Sequence, residues 1–84
     1  MNNKTYVKVN SDFDSTGYMQ PRAIIWKDGR TFPIDSVKDL FPENRGDRYT
    51  VVIRGEERYL YYERPSDLLP NRFGRWFVMS PETA

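Results

Sequence analysis

The stretch Arg22–Val37, R-A-I-I-W-K-D-G-R-T-F-P-I-D-S-V, decides the fold. Asp28-Gly29 is a turn signal between two apolar runs rich in β-favouring residues, so the stretch reads as a β-hairpin. Its register follows from the pattern. With Asp28-Gly29 alone as the loop, Ile24 would face Pro33 and Trp26 would face Thr31, and the large side chains would be split between two faces. With Lys27-Asp28-Gly29 as the loop, Ile24 faces Phe32, Trp26 faces Arg30 and Arg22 faces Ile34. Ile24, Trp26, Phe32 and Ile34 then share one face. A one-residue slip inverts every side chain, so a single buried face selects the second register. The predicted loop is a type I turn followed by Gly29 in the left-handed conformation of a G1 bulge. Pro33 brings no N–H to a ladder and belongs at an edge or a bulge.

The same reasoning applied to Arg48–Glu63 predicts a second hairpin. Gly55-Glu56 as a two-residue loop puts glycine first, as a type II′ turn requires. Ile53 then faces Arg58, Val51 faces Leu60 and Tyr49 faces Tyr62. Tyr49, Val51, Ile53, Leu60 and Tyr62 form the core face. Thr50, Val52, Arg54, Tyr59 and Tyr61 form the other, which is too aromatic for an ordinary wet face.

Around these hairpins the pattern is sparser. Thr5–Asn10 alternates as a strand, with Val7 and Val9 on one face. Ser11–Gln20 reads as a polar loop. After Ile34 the strand either runs on to Val37 or turns at Asp35-Ser36. Leu40 and Phe41 are expected to fold back on the core, and Pro42–Asp47 to form a loop. Arg64–Gly74 is a long connection for a small domain, and its Leu68-Leu69 is expected to plug an open end of the sheet. Arg75–Met79 is a final strand, and Ser80–Ala84 a tail. No amphipathic helical segment, internal repeat or low-complexity tract is visible. The 84 residues therefore predict a single all-β domain over 1–84, ordered over about 5–79. It would be a small bent sheet or partly open barrel of five to six strands, on the scale of SH3-like and OB-like barrels.

Composition narrows the function. Thirteen Lys and Arg against twelve Asp and Glu leave a net charge of +1, no footprint for non-specific DNA or membrane binding. Nine of the thirteen cations are arginine, which suits planar, specific contacts. No apolar run approaches the roughly 20 residues of a spanning helix. The chain has no cysteine and its start has no apolar signal-like region, so a cytoplasmic setting is expected.

Candidate chemistry is thin. Asp12-Phe13-Asp14-Ser15-Thr16-Gly17 resembles the first half of a calcium loop. The twelfth loop position, however, is Ala23 instead of a bidentate glutamate, and strands flank it, so the stretch reads as an Asx-rich turn with no metal role. Histidine and cysteine are both absent, which removes the commonest general base and the best nucleophile. The many carboxylates are interleaved with arginines, the pattern of a solvated surface. No catalytic residue, metal ligand or cofactor is assigned, and the chain is read as a non-enzyme. The lead is the aromatic–arginine face, with Tyr59 and Tyr61 beside Arg54 and Arg75 as candidate binding residues. The competing reading makes those tyrosines cover for the sheet, under Arg64–Gly74 or at an oligomer interface.

Several local signatures recur together: Asp12-Phe13-Asp14, Trp26-Lys27-Asp28-Gly29-Arg30, Phe32, Ile34-Asp35, Arg48-Tyr49-Thr50-Val51, Ile53-Arg54-Gly55 and Arg75-Trp76-Phe77-Val78. With Val9, they resemble a group of small uncharacterised proteins of Gram-positive bacteria and their mobile elements. The resemblance spans Tyr6–Val78 and implies the fold more than a function, because its motifs are mostly hairpin and core residues. No catalytic or ligand residue is carried over. Two functions are consistent with all of this. One is a small accessory module that binds protein through the aromatic–arginine face or a sheet edge. The other is a small barrel that binds single-stranded nucleic acid.

Overall fold

Hairpin one forms in the register the apolar pattern requires. In a computed structural model, which describes residues 2–13, 15, 19–65 and 74–81, strand β2 (Met19–Ile25) and strand β3 (Thr31–Pro33) pair Ile24 with Phe32 and Ile25 with Thr31. The Gly29 N–H donates to the Trp26 carbonyl at 2.9 Å, and the Trp26 N–H to the Arg30 carbonyl at 2.8 Å. Gly29 sits at φ 91°, the left-handed conformation of the G1 bulge. Pro33 lies on an edge strand.

Five further strands complete the sheet: β1 (Asn2–Phe13), β4 (Ser36–Glu43), β5 (Gly46–Ile53), β6 (Glu56–Glu63) and β7 (Arg75–Pro81). All seven belong to one antiparallel sheet of order β3-β2-β1-β7-β6-β5-β4, curled into a half-barrel. The two edge strands are consecutive in the chain, and Ile34-Asp35 carries the backbone from one edge to the other. The Ile34 N–H donates to the Arg22 carbonyl of β2 at 2.9 Å and the Asp35 N–H to the Val52 carbonyl of β5 at 2.8 Å. Strand β1 also changes partner, pairing with β7 over Asn2–Val7 and with β2 over Lys8–Phe13.

Seven strands replace the expected five to six. Of the two expected continuations after Ile34, neither is complete: Ser36–Glu43 is a further strand, β4, with a bulge at Lys38, where Val37 pairs with Val51 but Asp39 with Thr50, and the loop expected over Pro42–Asp47 shrinks to the turn Asn44-Arg45. The extra residue brings Val37 and Leu40 to the same inner face although they are three apart. Pro42 is tolerated in β4 because that strand is an edge. Phe41, expected in the core, points outward and is 56% exposed. Likewise the expected loop 11–20 is shorter. Residues 11–13 extend β1, where Asp12 pairs with Gln20 and its carboxylate meets Arg22 at 3.1 Å. The rest of the calcium-like stretch, Ser15 apart, lies outside the described residues. Strands β1 and β7 run out to Asn2 and Pro81, where they pair along Asn2↔Pro81 to Val7↔Trp76.

Hairpin two forms two residues out of the expected register. Ile53 pairs with Glu56, Val51 with Arg58 and Tyr49 with Leu60. The loop is Arg54-Gly55, at φ 53° and 79°. Both central residues are left-handed, so the turn is type I′ in place of the expected II′. A shift of two preserves face parity, so the core assignment stands. Ile24, Tyr49, Val51, Leu60 and Trp76 are buried, with Val7, Val9, Met19, Phe32, Ile34, Val37, Ile53, Tyr62 and Val78 packed against them. The Tyr49 hydroxyl donates to the Met19 carbonyl at 3.1 Å. Burial, with the Asp47 charge adding to it, pushes that hydroxyl's pKa up to about 12. Leu68-Leu69 and their expected plug lie outside the described residues. Among the described residues no helix is long and apolar enough to cross a membrane.

Candidate binding face

The outer face of the sheet carries a row of side chains set by register alone. Tyr6 of β1 pairs with Phe77 of β7, Phe77 with Tyr61 of β6, Tyr61 with Arg48 of β5, and Arg48 with Phe41 of β4. Five strands thus place four aromatic rings and one guanidinium in a line across the sheet. Each is on the outside because its strand neighbours, Val7, Trp76, Leu60, Tyr49 and Leu40, point to the core.

Three of the four rings touch, and Arg48 links them to Phe41. Tyr61 and Phe77 are stacked at 4.9 Å between centroids with planes 5° apart, and Phe77 meets Tyr6 edge-on at 5.9 Å. Tyr59 joins from further along the same face of β6, 6.5 Å from Tyr61. Cations lie over the ring faces: Lys4 4.5 Å from Phe77, Arg75 4.2 Å from Tyr6, and Arg48 5.0 and 5.2 Å from Tyr59 and Phe41. At these distances ring quadrupoles attract the charges. The row is accessible: Tyr6 is 42% exposed and Tyr59 55%.

Glu63 organises the cationic end. It accepts from Lys4 at 3.2 Å and Arg75 at 2.8 Å. Burial raises its pKa, but the hydrogen bonds from Arg75 and Lys4 outweigh that and hold the carboxyl below the ordinary range. At the other end Arg48 meets Glu43 at 3.5 Å. The cations of the row are therefore largely neutralised where they stand.

Of the four residues singled out from sequence, the structure gathers three. Tyr59 and Tyr61 lie in the row, and Arg75 reaches it over Tyr6. Arg54 does not join them. It opens the β5–β6 turn, so it leaves the strand alternation, and its guanidinium lies over Phe32 at 5.4 Å. Sequence reading misses Tyr6, Phe77, Arg48, Phe41, Lys4 and Glu63. Alternation against Val7 and Trp76 is enough to put Tyr6 and Phe77 outside, but only strand order aligns them with Tyr61. The expected cover by the β6–β7 connection falls on residues 66–73, outside those described.

Chemically, the row offers flat apolar faces and oriented cations. It holds no histidine or cysteine, and the carboxylates at its two ends, Glu63 and Glu43, are each engaged by cations. Comparison with protein-family models, with curated proteins and with solved structures finds no match for this chain.

Proposed function

We propose that this chain is a small non-enzymatic binding module that engages a protein partner through the outer row Tyr6–Phe77–Tyr61–Arg48–Phe41, with Tyr59 and Arg75 beside it. The observation that carries the reading is the exposed, continuous aromatic–cation row itself. Aromatic residues and arginine are the side chains that dominate protein interfaces. A cytoplasmic setting goes with this reading, since a cysteine-free chain draws no benefit from an oxidising compartment.

The stacked pair Tyr61–Phe77 keeps a second reading in view, in which bases of a single strand stack on the row. Glu63 and Glu43 weigh against it, because phosphates would have to compete with carboxylates already on Lys4, Arg75 and Arg48. The test is capture from a cell extract of the native host with the wild-type chain and with a Phe41→Ser/Tyr59→Ser variant, both positions being exposed. A partner retained by the wild type and lost by the folded variant supports the proposal; equal capture by both refutes it. A parallel titration with a dT15 oligonucleotide decides the second reading. A steep loss of affinity between about 50 and 200 mM salt marks phosphate contacts and favours nucleic acid, and no binding removes it.

A further inference from the structure

The β6–β7 ladder stops short. Its pairs are Tyr61↔Phe77, Tyr62↔Trp76 and Glu63↔Arg75, yet β6 begins at Glu56 and β7 runs on to Pro81. Among the described residues, Glu56–Leu60 is bonded along one edge only, to β5. Among the described residues, Val78–Pro81 is likewise bonded along one edge only, to β1. The strands splay at the end far from the β6–β7 connection, and the curled sheet has a split in its wall.

Which backbone groups face the split follows from the ladder. Successive residues of a strand direct their N–H and C=O to opposite edges. The Arg54-Gly55 hairpin makes Ile53 and Glu56 exchange bonds, so Glu56, Arg58 and Leu60 point at β5, and Glu57 and Tyr59 point into the split. On β7 the same alternation turns Met79 to the split, and Pro81 beyond it has no N–H to give. The better edge is therefore that of β6, with a donor and an acceptor at both Glu57 and Tyr59.

The split opens on a cleft of about 830 Å³ whose floor includes Ile24, Phe32, Ile53 and Val78, with Trp26 at one wall. Charge on its rim is uneven. Arg30 is closed on Asp28 and Arg58 on Glu56, each at 2.6 Å. Arg54 lies over Phe32 and has no carboxylate partner among the described residues.

We infer that this split receives an extended peptide segment, which adds to the free edge of β6 as an extra strand. Alternate side chains enter the apolar cleft, and an acidic side chain meets Arg54. Three features choose this occupant. A row of alternating donors and acceptors is matched by polypeptide backbone at strand spacing. The floor accepts apolar side chains with period two. The one rim cation without a carboxylate among the described residues selects a negative charge. The free length, Glu56–Leu60, is about 17 Å at strand rise. This surface meets the outer row at Tyr59 and Tyr61, which also line the cleft; Tyr6, Phe77, Arg48 and Phe41 belong to the row alone.

The test uses the full chain, isotope-labelled, and a bank of N-acetylated, C-amidated heptapeptides with Val, Ile or Phe alternating with Thr, and Asp or Lys at one Thr position. Without peptide, the Glu57 and Tyr59 amides should exchange with solvent on the order of 100-fold faster than those of Arg58 and Leu60. Equal protection would mean that the edge is closed and would overturn the inference. With peptide, the Glu57 and Tyr59 amides should become protected. Asp peptides should bind about tenfold or more tighter than Lys peptides, and Arg54→Glu should reverse that order. N-methylation of alternate peptide residues should abolish binding. No binding up to about 1 mM, unchanged binding of the methylated peptides, or an Asp/Lys order indifferent to Arg54→Glu would each refute it. Glu57→Pro removes one free donor without touching the β5 ladder, and should weaken binding while Glu57→Ala does not. Arg54 and Glu57 lie outside the outer row and Phe41 lies outside the cleft, so Phe41→Ser alone and Arg54→Glu read the two surfaces separately.

Discussion

Replacing Leu60 and Tyr61 one at a time separates the two faces of a single strand. Leu60 has 0% exposure and lies in the core among Ile24, Tyr49, Val51 and Trp76. Leu60→Ala loses the transfer energy of the side chain and leaves a cavity, about 2–5 kcal/mol together. At roughly 0.05–0.15 kcal/mol per residue, a chain of this length has about 4–13 kcal/mol in all. The variant therefore gives up at least about a sixth of its stability, and at the upper end of the loss most or all of it. Its melting midpoint should fall by roughly 8–40 °C, at about 4–8 °C per kcal/mol for a domain of this size. Tyr61 is half-buried on the outer face, and its ring is stacked on Phe77. Tyr61→Ala loses the stacking contribution, about 0.5–1.5 kcal/mol, and some covered area, for a total of about 1–2 kcal/mol. Urea denaturation of both variants, read by fluorescence and circular dichroism, measures the difference. If Tyr61→Ala proves as destabilising as Leu60→Ala, the outer row is structural cover and the functional reading built on it fails.

Other outcomes follow from single positions. Gly29 is at φ 91°, and nothing lies within 4 Å of the place a Cβ would take there, so Gly29→Ala should cost about 1 kcal/mol from backbone strain alone; an unchanged midpoint in urea would contradict the G1 bulge. Arg54 is left-handed at φ 53°, and Arg54→Asn should raise stability by a few tenths to about 1 kcal/mol, since asparagine enters that conformation more readily; a loss would mean that the Phe32 contact outweighs the strain. Tyr49 is neutral in the folded chain up to about 12. Its contribution is fully present below the ordinary tyrosine value near 10 and is lost as pH rises from there through about 12. The ring NMR signals of Tyr49 should show its ionisation coinciding with alkaline unfolding, and ionisation of Tyr49 itself near 10 in the folded protein would refute its burial.

Hairpin one was legible in full because Gly29 and four apolar residues leave one register that buries a single face. Hairpin two was legible in its faces but not its turn. A left-handed arginine is an uncommon choice, and the glycine-first rule pointed to Gly55-Glu56. Strand β4 escaped because its bulge at Lys38 breaks the period of two on which strand reading depends. The ends of β1 were missed because polar residues there are held by ladder pairing, which no local pattern records. The candidate face divides in the same way. Alternation put Tyr59 and Tyr61 outside the core. The row needs Tyr6, Phe77, Arg48 and Phe41 from four other strands, and their alignment depends on strand order, which one sequence does not reveal.

Site-specific photo-crosslinking in the native host tests the central claim most directly. Tyr59→p-benzoylphenylalanine places the probe on the outer row, at a side chain that is 55% exposed, and Ser11→p-benzoylphenylalanine places it on an exposed stretch of β1 away from that row. A protein adduct formed at position 59 and absent at position 11 is the predicted result. Adducts of equal yield at both positions, an adduct at 11 alone, or nucleic acid in place of protein at 59 would contradict it.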